Sequence, residues 1–131
     1  MKKVNLITMI SSLFLISCGV VTKLPVSQTV PAADIKVNVK QDKSKNSIIL
    51  LTAKNLAAPN RVDSTCNAYV LWINTKENGI KNLGQIVNKN AKTIKQKFST
   101  AFIPTEVTIT LEKNGNVSAM SEKVITNAQL N

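Results

Sequence analysis

The chain of 131 residues has no histidine, two cysteines, four glycines, four prolines, one tryptophan, one tyrosine and three phenylalanines. Without histidine there is no imidazole to activate a serine or cysteine nucleophile or to bind zinc. If one cysteine is committed elsewhere, no cysteine pair remains for a zinc or iron–sulfur site. Carboxylates are also scarce: Asp34, Asp42, Asp63, Glu77, Glu106, Glu112 and Glu122. Glu106 and Glu112 would share one strand face but stand roughly 20 Å apart, too far for an acid–base pair. Gly84 and Gly115 stand alone, so there is no phosphate-cradling loop. Serines and lysines are plentiful, yet no spacing recommends a Ser–Lys dyad. The expectation is a protein that is not an enzyme, with no catalytic residue, no metal and no cofactor.

What is present begins at the first residue. Met1-Lys2-Lys3 is a short positive segment, and Val4 to Ile16 is an apolar run diluted by Asn5, Thr8, Ser11 and Ser12. A spanning helix needs about 20 mostly apolar residues, so this run is short for one. A positive start, a brief apolar core and a small residue at its end mark an export signal.

Leu15-Ile16-Ser17-Cys18 resembles the lipobox of bacterial lipoproteins. The resemblance implies diacylglycerol on the Cys18 sulfur, cleavage between Ser17 and Cys18, and in most Gram-negative organisms acylation (palmitate-type) of the new amino group. A small residue at Ser17 suits a peptidase that must grip the backbone beside the scissile bond. Two or three acyl chains anchor a protein durably, where one holds only reversibly. Attachment to the membrane through lipid on Cys18 would then require nothing from the folded domain.

Removing residues 1–17 leaves 114, enough for one domain of ordinary size. Lys2 and Lys3 leave with the signal, so a formal charge of +10 becomes +8. A basic balance suits acidic glycans, anionic lipid or nucleic acid, and for an exported protein nucleic acid is not expected. The lysines from Lys36 to Lys123 are scattered and read as a solvated surface. Cys66 is left without an internal partner. It is open to burial as a small hydrophobe, to intermolecular pairing or to a role as nucleophile, and burial is the favoured reading.

Residues 18–33 carry Pro25 and Pro31 with no sustained period and read as the lipidated cysteine and a tether, on the order of 50 Å if fully stretched. From Asp34 to Asn131 the pattern is that of strands. Ile35, Val37 and Val39 alternate with Lys36, Asn38 and Lys40, a two-residue period with one wet face. Ser47–Ala53 is a continuous apolar run fit for a central strand, and residues 55–66 read as a long loop. Ala68–Asn74 is a further strand, ended by Asn78-Gly79, a strong hairpin signal. Ile80–Val87 is shorter and interrupted by Gly84. Ala91–Phe98 reads as a lysine-studded edge strand, although Ile94 and Phe98 would also suit a helix face. Glu106–Glu112 alternates without a fault, and Asn114-Gly115 turns it into Val117–Ile125. About seven short strands indicate an all-β fold, an antiparallel immunoglobulin-like β-sandwich. Val70, Trp72, Val107, Ile109, Leu111, Ile35, Val37, Ile48 and Leu50 are its expected core.

Three stretches resemble bacterial envelope sandwich domains, among them the outer domain of anti-sigma-K-type regulators: Ala68-Tyr69-Val70-Leu71-Trp72-Ile73, Asn82-Leu83-Gly84-Gln85-Ile86, and Thr105–Glu112 with its following Gly turn. The resemblance spans roughly residues 66–125. It implies fold and compartment only, because the chain has neither a sigma-binding domain nor a true membrane span. Trp72 is also similar to the strand tryptophan of immunoglobulin-like domains, whose companion disulfide Cys66 alone does not supply. Asp63-Ser64-Thr65 is similar to the Asp-Ser/Thr-x signal for O-glycosylation in Bacteroidota.

The functional expectation is a lipid-anchored, non-enzymatic envelope module that binds a protein, a glycan or a cell-wall component. The alternative is a small-ligand carrier or an accessory subunit of an envelope enzyme or regulator, with the ligand held between the sheets or at the loop over residues 55–66. Gly19 stands where enteric-type inner-membrane lipoproteins carry Asp, and no acidic residue precedes Asp34. These features imply the outer membrane, periplasmic face, or the outer face of the cell membrane in a Gram-positive host.

Overall fold

Alternation in one strand and a continuous apolar run in the next set the first pair of long strands. In β2 (Asp34–Gln41) Ile35 and Val37 are buried, while Lys36 and Gln41 are exposed. β3 (Ser47–Lys54) buries Ile49, Leu51 and Ala53 on the same side. The turn between them is held by Asp42, whose Oδ1 accepts from the amides of Ser44 and Asn46 at 2.8 and 2.9 Å. Lys45 takes a positive φ of 63° there.

The computed structural model describes residues 19–88 and 92–130. The signal over residues 1–17 and Cys18 lie outside the described residues. Besides β2 and β3, the chain forms β1 (Val20–Lys23), the one-turn helix α1 (Pro59–Val62), β4 (Ala68–Thr75), β5 (Gly79–Ile86), β6 (Thr93–Thr100), β7 (Pro104–Glu112) and β8 (Val124–Gln129). The strands make two four-stranded antiparallel sheets, ordered β1-β2-β3-β6 and β5-β4-β7-β8. This is the expected antiparallel sandwich, with eight strands in place of seven.

Between the sheets lie Val37, Ile49 and Leu51 from one side and Tyr69, Leu71, Ile73, Val107 and Ile109 from the other, all at most 1% exposed. The sheets are also joined at their rims. Gln96 of β6 donates to the Gln85 carbonyl of β5 and accepts from the Val87 amide. Gly84, at a φ of 134°, gives Phe98 room beside it, 3.6 Å from where a Cβ would stand. In the turn between β4 and β5 Gly79 takes a positive φ of 72°, and the Thr75 hydroxyl donates to its carbonyl.

Four expectations need correction. Residues 19–33 are not a free tether. Val20–Lys23 pairs with β2, and Leu24, Ser27, Val30 and Ala33 are buried. Their anchorage is tertiary: the Leu24 amide donates to the Ile35 carbonyl, and the Thr126 hydroxyl of β8 donates to the Pro25 carbonyl. Asn114-Gly115 does not start a hairpin. Residues 113–123 make an excursion before β8 begins at Val124. Trp72 is buried, at 1% exposure, but on the side of β4 turned away from the inter-sheet core, where Tyr69 takes the place expected of it. Leu50, likewise, faces outward and is half-buried.

Candidate functional site

The residues singled out for processing, Ser17 and Cys18, lie outside the described residues, and the structure takes up the chain at Gly19. Gly19 leads into β1 at once, with Val20 opposite Val39 and Val21 opposite Asn38. A Cβ on Gly19 would lie 1.9 Å from Asn38 Oδ1 and 2.8 Å from the Val39 carbonyl oxygen, so only glycine fits this approach without a shift. The described structure therefore reaches to the residue next to Cys18, with β1 starting at Val20.

β1 forms one edge of the first sheet, and β6 forms the other. On the outer surface of that sheet the pairing brings side chains into rows. Lys95, Thr52, Lys36 and Lys23 stand side by side across the four strands, and Lys97, Leu50, Asn38 and Val21 form the next row. Lys40 and Lys54 complete a set of six lysines, all exposed except the half-buried Lys40. The one carboxylate among the strand residues of this face is Asp34, opposite Lys54. No ion pair engages any of the six among the described residues. Neighbouring strands lie about 4.8 Å apart and side chains on one face recur every ~6.7 Å along a strand, so the lysines share one cationic surface, with a shallow groove among Val21, Lys36, Asn38, Leu50 and Thr52. Sequence reasoning missed this face. The alternation in β2 and the lysine spacing in β6 each hinted at it, but only the register aligns them.

A second cluster surrounds Cys66, which is 2% exposed and packs into the core. Its Sγ lies 3.6 Å from Lys123 Nζ and 3.9 Å from Thr65 Oγ1. Lys123 is claimed by Asp63 at 2.5 Å, and Asp63 Oδ1 also accepts from the Thr65 hydroxyl and amide. The Lys123 and Thr65 hydrogen bonds hold the Asp63 carboxyl well below the usual carboxylate range, and the bond to Asp63 raises the Lys123 ammonium above its ordinary value. A lysine kept charged is no base for the thiol. The arrangement is a clasp that ties the β3–β4 loop to the segment before β8. Ser64, between Asp63 and Thr65, is exposed in the turn after α1.

A third arrangement lies on the outer surface of the second sheet. The Trp72 indole donates to Thr110 Oγ1 at 2.8 Å, the Thr110 hydroxyl donates to Glu112 Oε2, and the Ser121 amide donates to the same oxygen at 2.9 Å. Asn82 donates to the carbonyls of Gly115 and Val117. These bonds hold residues 113–123 over the sheet and bury Trp72 and Glu112.

Among the described residues no group of three potential ligands is placed to hold a metal ion, and no helix is long and apolar enough to cross a membrane. Grooves of about 340 Å³ at the two ends of the sandwich are lined by turn and loop residues, such as Lys76, Asn78 and Phe102 at one end and Leu56, Arg61 and Lys92 at the other. The chain matches no family model, no curated protein and no solved structure.

Proposed function

We propose that the protein is a lipid-anchored, non-enzymatic module of the bacterial cell envelope, tethered by acyl chains on Cys18. The observation that carries this reading is the box Leu15-Ile16-Ser17-Cys18 behind a basic start and a short apolar run. The domain that follows supports it. Its core residues and all eight strands fall within residues 20–130, so cleavage before Cys18 leaves the sandwich whole. Gly19 in place of an acidic residue favours the outer membrane with the domain in the periplasm, or the outer face of the cell membrane in a Gram-positive host. A protein or glycan of the envelope is the expected partner, and the resemblance to envelope sandwich domains bears on compartment alone.

The test is metabolic labelling with a fatty acid in a bacterial host. The full chain is expected to take up label, to lose it in Cys18→Ser, and to accumulate as an unprocessed precursor with globomycin, which blocks lipoprotein signal cleavage. Label that persists in Cys18→Ser overturns the anchor.

A further inference from the structure

We infer that the six-lysine outer face of the first sheet docks on a phospholipid surface bearing anionic headgroups, beside the point where the chain enters the membrane. The inference rests on the anchor reading for the position of Cys18, and on the structure for everything else. Cys18 is two residues from Val20, a reach of at most about 7 Å. A domain so held cannot stand away from the bilayer. β1, the strand nearest the anchor, is the edge of the sheet that carries the lysines. At physiological ionic strength charges interact over about 8 Å, so part of this face lies within range of the headgroups.

The composition of the face fits a membrane better than it fits a folded acidic partner. Lys23, Lys36, Lys40, Lys54, Lys95 and Lys97 surround Leu50 and Thr52, with a single carboxylate among them and no ion pair to lose on docking. At the anchor end of the same face Val21, opposite Asn38, is 61% exposed, and Val20, on the other side of β1, is 52% exposed. Exposed apolar residues next to the acyl chains enter the interfacial layer, while lysine stems lie over apolar surface and keep their ammonium groups among phosphates. The opposite outer face, by contrast, is partly covered by residues 113–123, which are tied to Asn82 and Glu112.

The test uses residues 19–131 alone, which hold every strand and lack Cys18. The fragment should sediment with phosphatidylcholine vesicles containing phosphatidylglycerol, less so as salt rises, and not with phosphatidylcholine alone. Each lysine at an anionic surface is worth roughly fivefold in affinity. The triple variant Lys36→Gln/Lys95→Gln/Lys97→Gln should therefore weaken binding on the order of a hundredfold. Lys76→Gln/Lys113→Gln, away from this face, should change it little. On vesicle-bound wild type, Lys36, Lys95 and Lys97 should resist acetylation while Lys76 and Lys113 react. Equal binding to neutral vesicles overturns the docking face. So does equal loss in the two variants, or binding to soluble polyphosphate without binding to vesicles. Fatty-acid labelling together with no vesicle binding by the fragment overturns docking and leaves the anchor standing. Vesicle binding by the fragment without labelling of the full chain supports the face and removes the anchor.

Discussion

Trp72 on β4 and Thr110 on β7 share a hydrogen bond, indole N–H to hydroxyl oxygen at 2.8 Å, on the outer side of the second sheet. Thr110 passes its own proton toward Glu112, so one hydroxyl serves as acceptor and donor at once. Thr110→Val keeps the shape and leaves the buried indole N–H unpaired. That should cost about 1–3 kcal/mol, against about 3–5 kcal/mol for Trp72→Ala, both read by urea denaturation. As Trp72 is the only tryptophan, its emission reports this site alone. A water-like emission maximum in the folded wild type would contradict the burial.

Glu112 holds the excursion over residues 113–123 by accepting from the Ser121 amide. Glu112→Ala removes that acceptor and should open the segment locally while the two sheets persist. Amide hydrogen exchange should then show faster exchange at Ser121 with β2 and β3 amides unchanged. Uniform loss of protection would mean that this carboxylate supports the whole fold.

The segment over residues 19–33 should behave as part of the domain. A chain starting at Asp34 loses β1 and the buried side chains of Leu24 and Val30. Burial of two such side chains is worth about 3–6 kcal/mol. The shortened chain should be less stable than residues 19–131 by a comparable amount in denaturant titration. Equal stability would restore the tether.

Tyr69 buries its ring in the core while its hydroxyl donates to the Ala57 carbonyl at 2.7 Å. Burial pushes its pKa from 10.0 up to about 12. The neutral phenol is the form the folded state favours, so its contribution is complete below pH 10.0 and is lost as pH rises toward about 12. The single tyrosine makes the tyrosinate absorbance a direct readout. Titration of the folded protein should be displaced upward from the unfolded one, and Tyr69→Phe should flatten the alkaline loss of stability.

The Asp63–Lys123 clasp has two pH limits. Asp63 is depressed below 3.8, so its share of stability is present above that value and goes as the carboxyl protonates in stronger acid. Lys123 is raised above 10.5, so its share is present below 10.5 and goes as pH climbs past it. Lys123 is exposed and Asp63 partly so, which keeps the effect small and sensitive to salt. Asp63→Asn should reduce the acid-side slope of stability and speed thiol labelling of Cys66, which the clasp overlies. Unchanged Cys66 labelling would show that core packing alone shields it.

Much of the fold was legible one strand at a time. β2 carries the two-residue period that a sheet with one covered face imposes, β7 alternates apolar with polar residues although both its faces are buried, and Asn78-Gly79 marked the β4–β5 turn through the glycine's tolerance of positive φ. β6 was readable as a lysine-bearing edge because unpaired strand edges favour charge. Periodicity fails where both faces are covered. From Ala68 to Ile73 every residue of β4 is apolar and buried, so nothing in that run distinguishes the side of Tyr69 from the side of Trp72. Alternation also says nothing about neighbours. β1 has four residues and follows no period; it is a strand because β2 offers it an open edge, and residues 24–33 are ordered because both sheets receive them. The same holds for charge. The order of residues determined that lysines stand on one side of β2, at 36 and 40, and of β6, at 95 and 97, while β3, lying between them, brings both pairs onto one face. That juxtaposition depends on two hydrogen-bond registers, β2 with β3 and β3 with β6, which together bring β2 and β6 onto one face although they lie more than fifty residues apart in the chain. It is a property of chain pairing in three dimensions and has no counterpart in local sequence.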